Sequence, residues 1–165
     1  MIEATTDELL GYLADVIEYA ERYGAIVQPP YDAPEVEWTR EGECQAMMDI
    51  EIRPPVGRRA RVDITLAERW RPIGADRWEL DEYSYELRDF VLDYRWAFHQ
   101  HDREDFVRFF GVATHEHCES VMGRPTCDHY AGAPCRDARD GLERLYVIWT
   151  AGAKPDCSQM RCIED

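Results

Sequence analysis

Lysine is almost absent from this chain: Lys154 is the only one, and the other basic residues are arginine. Any cationic contact is therefore a planar guanidinium fork, suited to carboxylate or phosphate. Positive charge of either kind is also outnumbered. There are 34 acidic residues against 19 basic ones, a formal net charge of −15. Such a surface repels anionic membrane and nucleic acid over most of its extent, which argues against DNA as a partner. No block of five like charges occurs, so the acid reads first as solubility and second as a face for a basic partner.

Other absences narrow the class further. No run approaches about 18 apolar residues, so no membrane-spanning helix is expected. Met1-Ile2-Glu3-Ala4 has neither a basic n-region nor an apolar h-region. No signal peptide is read there, and the expected compartment is the cytoplasm. There is no glycine-rich phosphate loop and no serine nucleophile elbow, so no organic cofactor is expected. There is also no Cys-x-x-Cys pair among the six cysteines, Cys44, Cys118, Cys127, Cys135, Cys157 and Cys162. In a cytosolic chain, free thiols and metal ligands come before disulfides. Cys157 and Cys162 are read as exposed thiols on a loose polar tail at 152–165.

What is present fits one domain. The 165 residues are 45% hydrophobic, enough for a single core. Thr5-Thr6-Asp7-Glu8 is a capping-box pattern, and Leu9, Leu10, Leu13, Val16, Ile17 and Ala20 follow at helical spacing, predicting a helix over 6–23. Gly24 is its natural stop. Period-two alternation over Ala46–Ile52 and Ala60–Leu66 predicts an antiparallel hairpin with one wet face. A third strand is expected over 77–88, with a phase slip near Asp81-Glu82 that suggests a bulge. A fourth is expected over 90–99, with Leu92, Tyr94, Trp96 and Phe98 on one face. These strands make an antiparallel sheet over 44–99. Asp102 is placed to cap a short helix at 103–110, residues 111–135 read as a long His/Cys-rich loop, and 136–150 reads as a final helix. The expected class is α+β, a four-stranded antiparallel meander with an N-terminal helix and C-terminal helices packed on one face.

The histidines concentrate the chemistry. Four of five lie in two His-x-His pairs, His99-Gln100-His101 and His115-Glu116-His117, and the fifth is His129. On a strand, residues i and i+2 share a face, so each pair can present two nitrogens to one cation. Zinc takes about four N, S or O donors. His101, His115, Cys118, Cys127, His129 and Cys135 are the candidate metal ligands. A metal-free reading uses two imidazoles as general base and acid on an RNA phosphodiester, with a cation for the phosphoryl charge. His99 and His117 are the candidates for acid and base, and Arg95 for the phosphate contact. Asp102 or Glu116 would fix the imidazole tautomers.

The run from Tyr83-Ser84-Tyr85-Glu86-Leu87 through Tyr94-Arg95-Trp96-Ala97-Phe98-His99-Gln100-His101 to His115-Glu116-His117 resembles the TumE-type toxins of bacterial toxin–antitoxin pairs. The resemblance covers roughly residues 58–150. In that family two adjacent histidines end a strand, and here each pair is split by one residue. The resemblance implies a small cytoplasmic toxin-type protein, a ribonuclease acting through histidine, with an antitoxin partner. Two rival expectations stand beside it. One is a non-catalytic zinc-binding domain that mediates protein interaction. The other is an acidic inhibitor or decoy of a basic partner.

Overall fold

A computed structural model describes residues 2–22, 26–27, 35–38, 44–53, 62–101, 107–109 and 111–163. The elements are β1 (Glu3–Ala4), α1 (Thr6–Arg22), β2 (Ile26–Val27), β3 (Glu35–Trp38), β4 (Cys44–Arg53), β5 (Val62–Gly74), β6 (Arg77–Asp89), β7 (Tyr94–Gln100), β8 (Thr114–Glu119), β9 (Tyr130–Ala131) and α2 (Ala138–Thr150). A 3-10 turn follows at Cys157–Gln159. The class is α+β. All described pairings are antiparallel, and β4 to β8 follow one another in a meander. The expected four strands are therefore too few: β8 and β9 extend the sheet beyond β7, β2 and β3 add to β4, and β1 pairs with β6.

The helix signals act as their chemistry requires. The Thr5 backbone N–H donates to Glu8 Oε2 at 2.9 Å and the Glu8 N–H donates to Thr5 Oγ1 at 3.3 Å. This reciprocal box satisfies two orphan amides at the start of α1. Leu9, Leu13, Val16 and Ala20 are buried beneath it, whereas Leu10 is exposed. The Asp137 side chain caps α2 by accepting from the Asp140 N–H at 2.8 Å. Leu142 and Leu145 are buried from that helix, with Tyr146 and Trp149 packed at the margin.

Both helices lie on one face of the sheet, against Val62, Ile64, Leu66, Trp70, Tyr83, Tyr85, Leu87, Tyr94 and Phe98. The bulge falls where the phase slip predicts it. Arg69 pairs with Glu82 and Trp70 with Leu80, so Asp81 is the extra residue in β6. That insertion keeps both Leu80 and Tyr83 on the core face. Glu68 is also buried there, its carboxylate taking Tyr12 Oη at 2.6 Å, Tyr85 Oη at 2.5 Å and Trp70 Nε1 at 2.9 Å. Burial raises its pKa, the three donors opposing that shift.

β7 starts at Tyr94 rather than at residue 90. Asp89 Oδ1 accepts the N–H groups of Val91 and Leu92, and Asp93 has φ 55°, so 90–93 is a turn. The expected helix at 103–110 is described only at 107–109, which is helical; Asp102 and residues 103–106 and 110 lie outside the described residues, as do Gly24, the expected turn at 54–57 and the start of the expected second strand at 60–61. The stretch 111–135 is not one long loop. Residues 114–119 are a strand in register with β7, and 130–131 pair with it in turn. The tail is not loose either. The Ala131 N–H donates to Arg161 O at 2.8 Å, and the Ile163 N–H donates to His129 O at 2.9 Å, so 161–163 borders β9.

α2 packs close enough to β6 that no side chain fits at Gly141. A Cβ there would lie 2.3 Å from Tyr85 Cδ2. Gly141→Ala gains about 1 kcal/mol in helix propensity. The overpacking against a buried ring costs about 1–3 kcal/mol. The expected net result is a lower melting temperature in thermal unfolding, and an unchanged or raised one would mean that the helix is free to move off the sheet.

Candidate metal centre

The alternation that buries Tyr94 and Phe98 against the helices turns Arg95, Ala97 and His99 to the opposite face. On β8 the same rule turns His115, His117 and Glu119 to that face. The register then sets the neighbours: Arg95 opposes Glu119, Ala97 opposes His117, and His99 opposes His115. Beyond the end of β7 the ladder continues, the His101 N–H donating to Ala113 O at 3.0 Å. On β9, Tyr130 opposes Glu116 and Ala131 opposes His115, so His129 falls beside His117.

The outcome is that all five histidines of the chain meet on the outer face. Ring centroids are 4.5 Å apart for His99–His117, 5.3 Å for His99–His115 and His101–His115, and 5.6 Å for His99–His101. They are 4.9 Å apart for His115–His117 and His115–His129, and 5.2 Å for His117–His129. His115 is at the centre and only 2% exposed; the other four are half-buried. His115 Nε2 and His117 Nε2 are 3.0 Å apart. His99 Nε2 lies 3.0 Å from Ser84 Oγ, a contact that orients the ring from the neighbouring strand.

Burial and mutual repulsion keep His99, His115 and His117 neutral. His99 is pushed down to about 2, first by burial and then by His117, His115, His101 and Arg95. His115 falls to about 3, by burial and then by His117, His129 and His101. His117 falls to about 4, by burial, Arg95 and His129, with Glu119 and Glu86 pulling the other way. A neutral imidazole is the form that binds a metal. Two sets of three donors, His99–His101–His115 and His115–His117–His129, each have their nitrogens within 4.8 Å of one another. These clusters can hold a metal ion. A cavity of about 310 Å³ borders the second set, lined by Arg95, His117, Glu119, Pro125, Asp128 and His129 among others.

Arg95 is committed to carboxylates. Its Nε and Nη2 donate to Glu86 Oε2 at 2.8 and 2.6 Å, and its Nη1 donates to Glu119 Oε1 at 2.7 Å. Burial works against its charge, but these two partners outweigh it and raise its pKa. Glu116 sits on the other face of β8, where Trp96 Nε1 donates to it at 3.1 Å, so it does not reach the histidines to set their tautomers.

The cysteine ligands expected from the sequence do not join the site. Cys118 is bonded to Cys157, and Cys127 to Cys162. Disulfide sulfurs have no thiolate to give a metal. Cys157 and Cys162 are thus not exposed thiols but the anchors of the tail. Cys135 is a free thiol buried in the main core, where its N–H donates to Tyr83 Oη at 2.9 Å. Burial pushes that thiol up to about 12. Among the expected ligands, the imidazoles of His101, His115 and His129 converge, and His99 and His117, expected as acid and base, stand among them.

No helix among the described residues is long and apolar enough to cross a membrane. Comparison with protein-family models, curated proteins and solved structures yields no match for this chain.

Proposed function

We propose that this protein is a metal-binding protein whose outer sheet face takes a late first-row divalent cation, zinc foremost, through histidine nitrogens. The observation that carries this reading is the convergence of five imidazoles around His115, with two Nε2 atoms already 3.0 Å apart. Donors at that spacing are about as far apart as two nitrogens on one ion with bonds of roughly 2.0–2.1 Å. An all-imidazole set suits zinc, copper, nickel or iron rather than magnesium or calcium. Three protein nitrogens leave a fourth position for water or for a partner's side chain, and the adjoining cavity gives that position room.

The ribonuclease reading draws less support from the same geometry. Acid–base cleavage of RNA needs one imidazolium near neutral pH. His99 and His117 both hold their protons far too weakly for that role. Arg95, the intended phosphate contact, is already paired with two carboxylates. A toxin-type activity and an antitoxin partner therefore rest on the sequence resemblance alone. The two disulfides favour an oxidising compartment over the cytoplasm expected from the sequence.

The test is thermal unfolding of tag-free, chelator-stripped protein with and without zinc. At a free concentration 100 times the Kd, binding stabilises by about 2.7 kcal/mol. For a chain of this size that raises the melting temperature by roughly 5–11 °C. Magnesium should leave it unchanged. If zinc, copper, nickel and cobalt all leave it unchanged as well, the reading is wrong.

A further inference from the structure

We propose that the five histidines hold two metal ions per chain, with His115 the ligand common to both. This rests on the metal-binding reading above and goes beyond it in number and arrangement. The two donor sets share one residue, His115, and no other. Their remaining members lie to different sides of it in the sheet. His99 stands across from His115 on β7, with His101 two residues further along the strand. His117 lies two residues from His115 in the opposite sense, where β8 runs back past Ala97, and His129 flanks it from the β9 side. Zinc takes about four donors, fewer than the five rings present. Their ligand nitrogens gather within 4.8 Å of one another as two sets of three, so two ions can each take three.

Each trio needs only a small closure. Its nitrogens lie within 4.8 Å of one another. Around a tetrahedral ion they would be about 3.3 Å apart, a change that rotation of the half-buried outer rings about the buried His115 can supply. His99 presents Nδ1, since its Nε2 faces Ser84 Oγ. His115 presents Nε2 toward His117, the pair already at 3.0 Å. Its second ring nitrogen, Nδ1, is then the donor to the ion held by His99 and His101. Imidazole carries one proton on its two nitrogens when neutral. Binding the second ion releases that proton to solvent and leaves His115 as an imidazolate between the two cations. Its negative charge offsets the repulsion between them.

The experiment is equilibrium dialysis of tag-free, stripped protein against excess Cu²⁺, with bound copper counted by elemental analysis and the same samples read by electron paramagnetic resonance. His101→Ala and His129→Ala each remove an outer ligand of one site, and both positions are only half-buried, so the fold is expected to survive, as circular dichroism would verify. Two ions in the wild type, falling to one in each variant, is the expected result. The wild-type Cu²⁺ signal should be depleted by coupling through His115 and should return to that of an isolated ion in each variant. One ion per chain in the wild type overturns the shared site while leaving the metal-binding reading in place. Two ions retained by both variants also overturn it, because the second ion then binds elsewhere. No bound ion overturns both readings.

Discussion

Reducing the two disulfides is expected to destabilise the protein more than any single substitution considered above. Cys118–Cys157 and Cys127–Cys162 join residues 39 and 35 apart in sequence. In the chain-entropy account, a loop of that length is worth about 4 kcal/mol. The two loops overlap, so the second cross-link closes a chain already shortened by the first, and the sum is less than twice that value. Backbone bonds from 161–163 to β9, and Lys154 Nζ donating to Asp93 O and Ser120 O, also hold this corner, but its apolar packing is small. Its small core consists of Cys118, Cys127, Tyr130 and Cys157, with Trp96, Met160 and Cys162 at its edge. Four of those seven residues are the bridged cysteines themselves. Thermal unfolding with and without reductant should therefore show a fall of 10 °C or more, at about 2–4 °C per kcal/mol. The Cys157→Ser/Cys162→Ser double variant should reproduce it without reductant. Metal affinity should fall in parallel, because His129 sits two residues from Cys127 and His117 adjoins Cys118. An unchanged melting temperature would mean that the packing, not the cross-links, holds the tail.

The sequence carries some of this structure openly and hides the rest for physical reasons. Thr5 and Glu8 announce the start of α1 because capping is local chemistry between residues three apart. The alternation in β5 and the slip at Asp81 are visible because one face of those strands is apolar. β8 shows no such contrast. Its outer face is His115, His117 and Glu119, and its inner face is Thr114, Glu116 and Cys118. With polar groups on both sides there is no apolar stripe to read, and the segment passes for loop. The paired histidines are conspicuous as a pattern, yet their meeting depends on the register of His99 with His115, a pairing across 16 residues that no local rule sets. The cysteines mislead because spacing alone does not distinguish a ligand from a bridge. Only the placement of 161–163 beside β9 brings Cys162 to Cys127 and Cys157 to Cys118.

Stability is expected to fall steeply between pH 6.5 and pH 4, well before the carboxylates that carry most of the charge are neutralised. The cause is the histidine cluster. An imidazole in the unfolded chain takes a proton near pH 6.5. In the folded protein His117 does so only at about 4, His115 at about 3 and His99 at about 2. Across that window the unfolded state binds more protons, so unfolding free energy rises with pH and is lost as pH falls. Stability that is complete above pH 6.5 is thus withdrawn on acidification. By pH 5 a fully shielded imidazole contributes a loss of about 2 kcal/mol. Three would give about 6 kcal/mol as an upper bound, which solvent screening of the half-buried rings reduces. Two carboxyls act in the opposite sense. Glu68 and Glu116 have raised values, so the folded state takes their protons first and their effect on acidification is stabilising. A net loss on going from pH 7 to pH 5 therefore reports the histidines and not these acids. Urea unfolding at pH 7, 6 and 5 measures it, and His99→Asn should flatten the slope by removing one of the three. Bound metal works against the same protons, so its affinity should weaken over the same window, and saturating zinc at pH 7 should have lost most of its stabilising effect by pH 5. A flat profile from pH 7 to pH 5 without metal would mean that the rings can charge freely, and with that the neutral cluster on which metal binding depends would be gone.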